Sequence, residues 1–563
     1  MSFGWDQYTE VVSAAQSGMS IPTVELHGPF ARDGETLAAG YGFVDGEGYA
    51  DAALASCLPD DGGELSETLA DVGGFWAVIH EGEPTVVTVD RLRSHPLYYV
   101  ANPTSAEGPL VTDDVDTACH SVAGDPGDDP LAAGEYLLTG RVSRDETLVP
   151  DIVAIPPGTQ LVIEGDDTRY VEHVKYTHEN TSSDNLTARY EQAIETAFNR
   201  LIEYADGRPI AVSLSGGHDS RLVATELARR EYDPVVAFTY GGAHTEREVA
   251  ERVAADLELP WSFVDFDHET FRAWYRSLAR PAFDCASGWI ASVPNPSLAF
   301  AMELLRRRGD IPRETVVVTG DGPQTTGEHL PTSFRGSVSR SQFVDELLAH
   351  NYGTWVWNRD RYQASLGERV LATVPDAPFE DGTERVPVEV AASAYERWDW
   401  RERQAKRIRS TPAYEHAGFD WWFPLWDTSI MEFWQSVPLE HRRNKRFHDR
   451  YTERYYTRTS SLSAPEETFS SGKSRMRTHL EQVIGTTPVV GQLARAIRDR
   501  LASPGRSYYS DPTLGMVDSK TFDDVVDRLS DRSVPPSVYF HALLLLDRIE
   551  ADRVPPSLSI FPE

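Results

Sequence analysis

Residues Ile210 to Leu222 read IAVSLSGGHDSRL: an apolar β-type run, a Ser-Gly-Gly turn, then Asp219 and Ser220 opening a helix. This order predicts strand, tight turn and helix, an arrangement that cradles nucleotide phosphate. Gly216 and Gly217 lack a Cβ, so the backbone can turn sharply and bring its N–H groups against an anion at the positive end of the following helix. Ser215 and Ser220 add hydroxyl donors, and Ser213 closes the strand that leads into the turn. Asp219 is the candidate ligand for the Mg²⁺ that accompanies a polyphosphate, since a hard cation prefers carboxylate and water.

Two better-known cradles are excluded by residues this loop lacks. No Lys-Ser or Lys-Thr follows the glycines, as a Walker loop requires. The glycines are adjacent rather than spaced G-x-G-x-x-G, and the next expected strand, Val235 to Tyr240, does not end in an acidic residue that would hold a ribose. The remaining pattern, S-G-G-x-D-S, resembles the loop of the ATP pyrophosphatases, which cleave ATP between the α and β phosphates and adenylate a substrate. The plain alternative is an ordinary Gly-rich turn between strand and helix.

The 563 residues exceed what one hydrophobic core usually supports, so two or three domains are expected. Against 53 basic residues stand 88 acidic ones, a net charge of -35, which argues against a nucleic-acid partner. Only five of the basic residues are lysines (Lys175, Lys406, Lys445, Lys473, Lys520), leaving 53 − 5 = 48 arginines. Acid excess with lysine depletion resembles the cytosolic proteins of salt-in halophiles, where concentrated salt screens carboxylate repulsion. Cys57, Cys119 and Cys285 are odd in number and far apart, which supports neither a disulfide framework nor a zinc knuckle. The first residues, MSFGWDQYTE, carry no basic start or apolar core, and no apolar run approaches the ~18 residues of a membrane helix. A cytoplasmic location without membrane contact is expected, and the matches to glycosylation sequons at Asn180 and Asn185 are then chance.

From Thr23 to about Glu172 short strands alternate with Gly, Pro and Asp turns; Val86 to Val89, Leu97 to Val100 and Gln160 to Ile163 are the clearest, with helical stretches at Ala50 to Cys57 and Glu64 to Val72. Residues 1–175 are expected to form this β-rich domain and the polar stretch 176–185 a linker. Residues 186–563 then form the second domain, which opens with a helix from Leu186 to Tyr204. After the phosphate cradle come strand Val235 to Tyr240, helix Glu246 to Leu257, strand Trp261 to Phe266 and, later, Thr315 to Val318 running into Thr319-Gly320-Asp321-Gly322. Alternation of this kind predicts a parallel doubly wound sheet, with ligands beyond the carboxyl ends of its strands. From Val388 onward the chain reads as helical, its six tryptophans at 398, 400, 421, 422, 426 and 434 as core, and Val538 to Ala551 as a buried helix.

With these pieces placed, the chain resembles the glutamine-dependent asparagine synthetase family over most of its length. Gly74-Phe75-Trp76-Ala77, Asp90-Arg91 with Pro96 to Tyr99, Gly134 to Leu137 and Pro156-Pro157-Gly158 are similar to segments of the family's N-terminal half. Ser215 to Ser220, Thr319 to Gly322 and Phe423 to Asp427 are similar to its synthetase half. The resemblance implies an N-terminal Ntn-type αββα sandwich, like a class II glutamine amidotransferase. It implies a C-terminal ATP-pyrophosphatase fold (adenine nucleotide alpha hydrolase-like), a doubly wound parallel sheet with helical additions. It further implies ATP and Mg²⁺, an ATP and pyrophosphate site that includes Tyr240, Thr319 and Gly320, Asp321 as a general base, and a catalytic lysine.

Several positions depart from the family pattern. The family's glutaminase nucleophile is a cysteine exposed when Met is removed; position 2 is Ser2, a poorer nucleophile. Asp45-Gly46-Glu47 is similar to a glutamine-binding turn that would serve no purpose without it. In the second motif, Asp321 replaces a glutamate and Gln324 an aspartate implied to help hold Mg²⁺. Trp422 stands at a family arginine near the acceptor site. The lysine has two registers. One supplies Lys445 from Arg443 to Arg446; the other aligns Glu467 to Gly472 and leaves Glu466 at the position, with Lys473 a second candidate.

These residues lead to an expected AMP-forming ligase that adenylates a small carboxylate, aspartate by default, and amidates it with ammonia rather than glutamine. Alternatives are amidation or cyclisation of another carboxylate, as in β-lactam synthetase-like relatives, and a nucleotide-binding scaffold. The charge balance carries its own test. Lowering KCl from about 3 M to about 0.2 M lengthens the screening distance several-fold and should lower the melting temperature; a salt-independent melting temperature would remove the halophile argument.

Overall fold

The structure is a computed structural model that describes residues 22–104, 108–165, 167–179, 184–241, 247–353, 357–374, 379, 384–408, 411–460, 508–526 and 536–548. Ser2, Glu466, the segment Glu467 to Gly472 and Lys473 lie outside the described residues.

The strand Gly73–His80 is buried at all eight positions, which requires a layer on each of its faces. Ala77 and Ile79 point one way, with Leu37, Val87 and Val89, onto Tyr99 and Val111 of a second sheet and Ile155 just beyond it. Trp76 and Val78 point the other way, onto Leu54 and Leu65 of the helices Asp51–Cys57 and Gly62–Thr68. The first sheet has seven strands, centred on Thr36–Val44, Gly73–His80 and Thr85–Val89; the second has four, centred on Tyr98–Val100 and Leu110–Thr112. Helices including Val115–His120 cover the outside of the second sheet. The result is a four-layered αββα arrangement. Asp45 (φ 51°) and Gly46 (φ 87°) form the two-residue hairpin joining Thr36–Val44 to Glu47–Ala50, the left-handed pair that Asp-Gly favours.

The third sheet is parallel throughout, in the order Trp261–Val264, Val235–Tyr240, Ile210–Ser213, Val316–Val318, Asp420–Trp422. This doubly wound order places the topological switch point between Ile210–Ser213 and Val316–Val318, so the loops after those two strands face one crevice. The fifth strand lies in a region the sequence pattern assigns to helices. All six tryptophans of that region are buried, as expected of core.

Trp422 lies in the seam between the parallel sheet and the αββα layers. Its ring stacks on Tyr204 (4.6 Å, 27°) and takes Phe75 edge-on (4.7 Å, 80°), with Tyr41 and Phe43 near 6 Å (6.1 and 6.2 Å). An apolar indole here replaces charge with contact area, so the substitution bears on packing. The polar stretch after residue 175 is likewise anchored at its start: Tyr176 is fully buried, and His178 Nε2 lies 2.6 Å from Glu396, which also pairs with buried Arg442 (3.0 Å).

A buried lysine pins the same seam farther along. Lys406 Nζ donates to Glu402 (2.7 Å) and to the carbonyls of Val142 (2.6 Å) and Arg144 (2.8 Å), while Arg144 N–H donates to the same carboxylate (2.9 Å). Lys406→Ala would strand a buried carboxylate and two carbonyls, a loss expected at about 3–5 kcal/mol. Urea unfolding in high KCl measures it; a change below about 1 kcal/mol, the range of exposed pairs, would show that water re-solvates the pocket.

Candidate active site

The helix His218–Arg229 starts directly behind the Ser-Gly-Gly turn, with Gly217 as its cap residue (φ -75°, ψ 170°). Its first-turn N–H groups have no carbonyl of their own helix to bond and face the crevice end of the sheet. Gly217 is extended, not left-handed, and a Cβ there would meet only Ser215 Oγ at 3.4 Å. Clearance for an anion, rather than an unusual turn, is what that glycine provides. Asp219 belongs to the helix's first turn rather than to the loop.

The serines hold the loop. Ser220 Oγ accepts from Ser215 N–H and lies 3.0 Å from Ser215 Oγ, which accepts from Gly217 N–H (3.2 Å). One hydroxyl proton of the pair is used between them, so one remains for a ligand. Beneath the turn, buried Arg221 donates to the Gly216 carbonyl (3.1 Å).

The second loop is pressed against this helix start. A Cβ on Gly320 would fall 2.3 Å from Ser220 N and 2.5 Å from Asp219 C, so only glycine fits there. This is the glycine the fold demands. The approach brings Gln324, fully buried, onto Asp219: its Nε2 donates to Oδ1 (3.1 Å) and to the Gly320 carbonyl (3.1 Å).

From the opposite side, Lys445 donates to Asp219 Oδ2 (2.9 Å) and lies 3.1 Å from Glu328, while His448 Nε2 stands 3.0 Å from Asp219 Oδ1. Asn444 (φ 54°) and Lys445 (φ 53°) are consecutive left-handed residues, a strained joint that aims Lys445 from the start of the helix Arg446–Thr459. Burial alone would push the Asp219 carboxyl up; Lys445 and His448 outweigh it and hold it well below the usual carboxylate range. Burial likewise opposes charge on Lys445, but Asp219, Glu328 and Asp449 hold its ammonium above the usual lysine range. Asp449 is the outlier: burial, with Asp219 and Glu328 adding repulsion, raises it to about 6 despite the opposing pull of Lys445 and His448. Beside it, 3.5 Å away, burial and the positive neighbours Arg221 and Lys445 lower His218 to about 4.

Asp321 sits apart from this cluster. Oδ2 accepts from Thr319 Oγ1 (2.9 Å) and Oδ1 pairs with Arg407 (2.5 Å), a side chain 60% exposed. Tyr240, at the end of its strand, borders the same carboxylate, and burial with Asp321 nearby pushes its phenol up to about 12. Ser213 ends the central strand one residue before Leu214, whose carbonyl takes a bond from Thr239 (2.7 Å). The structure thus gathers Ser215, Gly216, Gly217, Asp219, Ser220, Gly320 and Lys445 at one helix start, with Thr319, Asp321 and Tyr240 along the neighbouring loop. Glu328 and His448 were missed by sequence reasoning: each lies in a stretch whose local pattern reads as a polar turn or helix face.

Whether this site suits a divalent cation can be judged from Lys445, a stand-in. Its ammonium occupies a position bracketed by carboxylate oxygens of Asp219 and Glu328. Two carboxylates with phosphate oxygens are the ligand set Mg²⁺ uses in nucleotide sites, so the residues fit. Among the described residues no group of three or more His, Cys, Asp or Glu forms an all-protein metal cage.

The profile of the asparagine synthase family matches residues 189–545, well over half of the 563 residues, and the match covers every residue of the cluster. The chain belongs to the asparagine synthase family. Family membership makes it an ATP-dependent, amide-forming carbon–nitrogen ligase of the class that carries this phosphate loop. Among solved structures, the NH3-dependent NAD synthetase from Campylobacter jejuni subsp. jejuni NCTC 11168 in complex with the nitrate ion is similar at 16% identity, over 34% of this chain and 90% of that one, with a TM-score of 0.20. No curated protein matches. Among the described residues no helix is long and apolar enough to cross a membrane.

Exchange of labelled pyrophosphate into ATP reports on this cluster. Asp219→Asn keeps the shape of the side chain and removes its charge, and should abolish exchange while the protein stays folded. Lys445→Ala should lose on the order of 10²-fold in turnover with little change in ATP affinity, the pattern of an interaction made mainly in the transition state. Parental exchange in either variant would mean the cradle has been misassigned.

Proposed function

We propose that the chain activates a small carboxylate with ATP and amidates it with free ammonia, aspartate being the default acceptor. The observation that carries this is the meeting of Lys445 and Asp219 at the phosphate loop, 2.9 Å apart. The substrate carboxylate attacks the α phosphorus, and the bond to the leaving pyrophosphate breaks. Helix N–H groups and the free serine hydroxyl receive the pyrophosphate. Lys445 moves from Asp219 to the reacting phosphate as its negative charge grows, a stabilisation that a preformed site makes strong. Mg²⁺ held by Asp219, when bound, neutralises the polyphosphate. Ammonia then attacks the acyl carbon, AMP leaves, and the amine proton passes to Asp321 once the exposed Arg407 arm swings away.

Ammonia rather than glutamine is favoured by two features. Ser2 stands in place of the family cysteine, and a hydroxyl is the poorer nucleophile. The seam toward the parallel sheet is filled by Trp422 against Tyr204 and Phe75. A second acceptor class, a larger carboxylate amidated or cyclised as in β-lactam synthetase-like enzymes, is favoured by Gln324, a neutral amide on Asp219 where the family carries an acid. The scaffold alternative is disfavoured, because a scaffold has no use for a cation poised between carboxylates at a phosphate loop.

The label decides the nitrogen source. With ATP, high KCl and a panel of carboxylic acids, ¹⁵N-ammonium should deliver its nitrogen to product and ¹⁵N-amide glutamine should not. Label arriving from glutamine and lost in Ser2→Ala would mean that the N-terminal residue is a working nucleophile.

A further inference from the structure

The helix Arg446–Thr459 and the residue just before it deliver two side chains to one carboxylate. Lys445 reaches Asp219 Oδ2, and His448, in the first turn of the helix, brings Nε2 to 3.0 Å from Oδ1. The two differ in freedom. Lys445 ends a flexible four-carbon stem, retains 11% side-chain exposure and has a second carboxylate, Glu328, within reach. His448 is wholly buried, and its Nδ1 lies 3.0 Å from the Tyr190 hydroxyl. Tyr190 is itself fully buried and clamped, stacked on Phe433 (4.7 Å, 21°) with Tyr451 edge-on (4.9 Å, 68°). The Tyr190 contact at Nδ1 fixes the ring with Nε2 as its atom nearest the carboxylate. Oδ1 accepts from the buried Gln324 amide (3.1 Å). One oxygen of Asp219 is therefore faced by two buried side chains on rigid supports, the other by the ammonium of the flexible Lys445.

We propose that His448, oriented by Tyr190, is a positioning residue that anchors Asp219 Oδ1 and leaves Oδ2 as the oxygen presented to the cation of a bound nucleotide. The inference rests on the ligase assignment only through Asp219 as the cation ligand. A ligating carboxylate held by a partner behind it keeps one lone-pair direction fixed, and loss of such partners typically weakens metal binding by about 10–100-fold. A merely structural histidine would pack equally well as an apolar residue of similar volume.

The test is binding of Mn²⁺ in the presence of α,β-methylene-ATP, followed by the electron paramagnetic resonance of free Mn²⁺, on the full chain in high KCl. His448→Gln can place an amide N–H near the Nε2 position and should bind within about threefold of the parent. His448→Leu keeps the bulk and removes both nitrogens, and should weaken Mn²⁺ binding by about tenfold or more. Tyr190→Phe, which frees the ring to turn, should fall between them. If His448→Leu does not fold, His448→Asn replaces it, because its amide reaches only the Nδ1 position and should behave as the loss variant. Equal Mn²⁺ affinity in the folded loss variant and in His448→Gln would overturn the proposal. No acceptor is needed, so a failure of every carboxylate to support pyrophosphate exchange would sink the ligase proposal while leaving this comparison decisive. Absence of Mn²⁺ binding by the parent would overturn both.

Discussion

One partly buried charge governs the crevice. Asp219 sits in the first turn of a helix where the dipole already favours an anion, so the same turn has to hold both this carboxylate and an incoming polyphosphate. On a chain of net charge -35 the background field repels that polyphosphate. Local neutralisation offsets part of that repulsion, and Lys445 is paired with Asp219 at the crevice. Glu328 and Asp449 keep the lysine charged. An uncompensated Asp219 would instead be pushed toward its neutral form by burial, and the site would lose its cation ligand.

The backbone makes that pairing possible. Gly320 lets the loop after Val316–Val318 touch the helix start after Ile210–Ser213, which carries Gln324 to Asp219. The parallel order that sets these two strands side by side is stabilised at its far edge by Asp420–Trp422, whose Trp422 is wedged against the αββα layers. Packing in the seam and geometry at the site are thus linked through one five-stranded sheet.

Much of this was legible in the sequence where the cause is local. The strand, turn and helix at Ile210 to Leu222 follow from apolar alternation and glycine, and the strand Val235–Tyr240 has the bounds its β-branched run predicts. The strand Asp420–Trp422 was not legible, because three residues followed by Phe423 and Pro424 carry no period; tertiary pairing with Val316–Val318 creates it. Trp422 reads as a lost arginine in the linear motif and as seam packing in space. Ser215 and Ser220 read as ligand donors, whereas most of their bonding closes the loop. His448 was invisible for another reason: one histidine in the basic, aromatic stretch RFHDRY looks like a solvated helix face, and only the fold turns it onto Asp219.

The lysine usage explains itself at the atomic level. Of the four lysines among the described residues Lys175 and Lys520 are exposed, whereas Lys406 is buried and Lys445 largely so, and these last two ask for what a guanidinium cannot give. Lys406 meets two carbonyls and a carboxylate within 2.6–2.8 Å of one nitrogen, a convergence on a point rather than a planar fork. Lys445 lies between the carboxylates of Asp219 and Glu328, where an arginine would instead hold Asp219 in a fixed two-bond geometry. These two positions share a convergence of acceptors on one nitrogen, whereas the exposed Lys175 and Lys520 show that lysine is also kept at the surface.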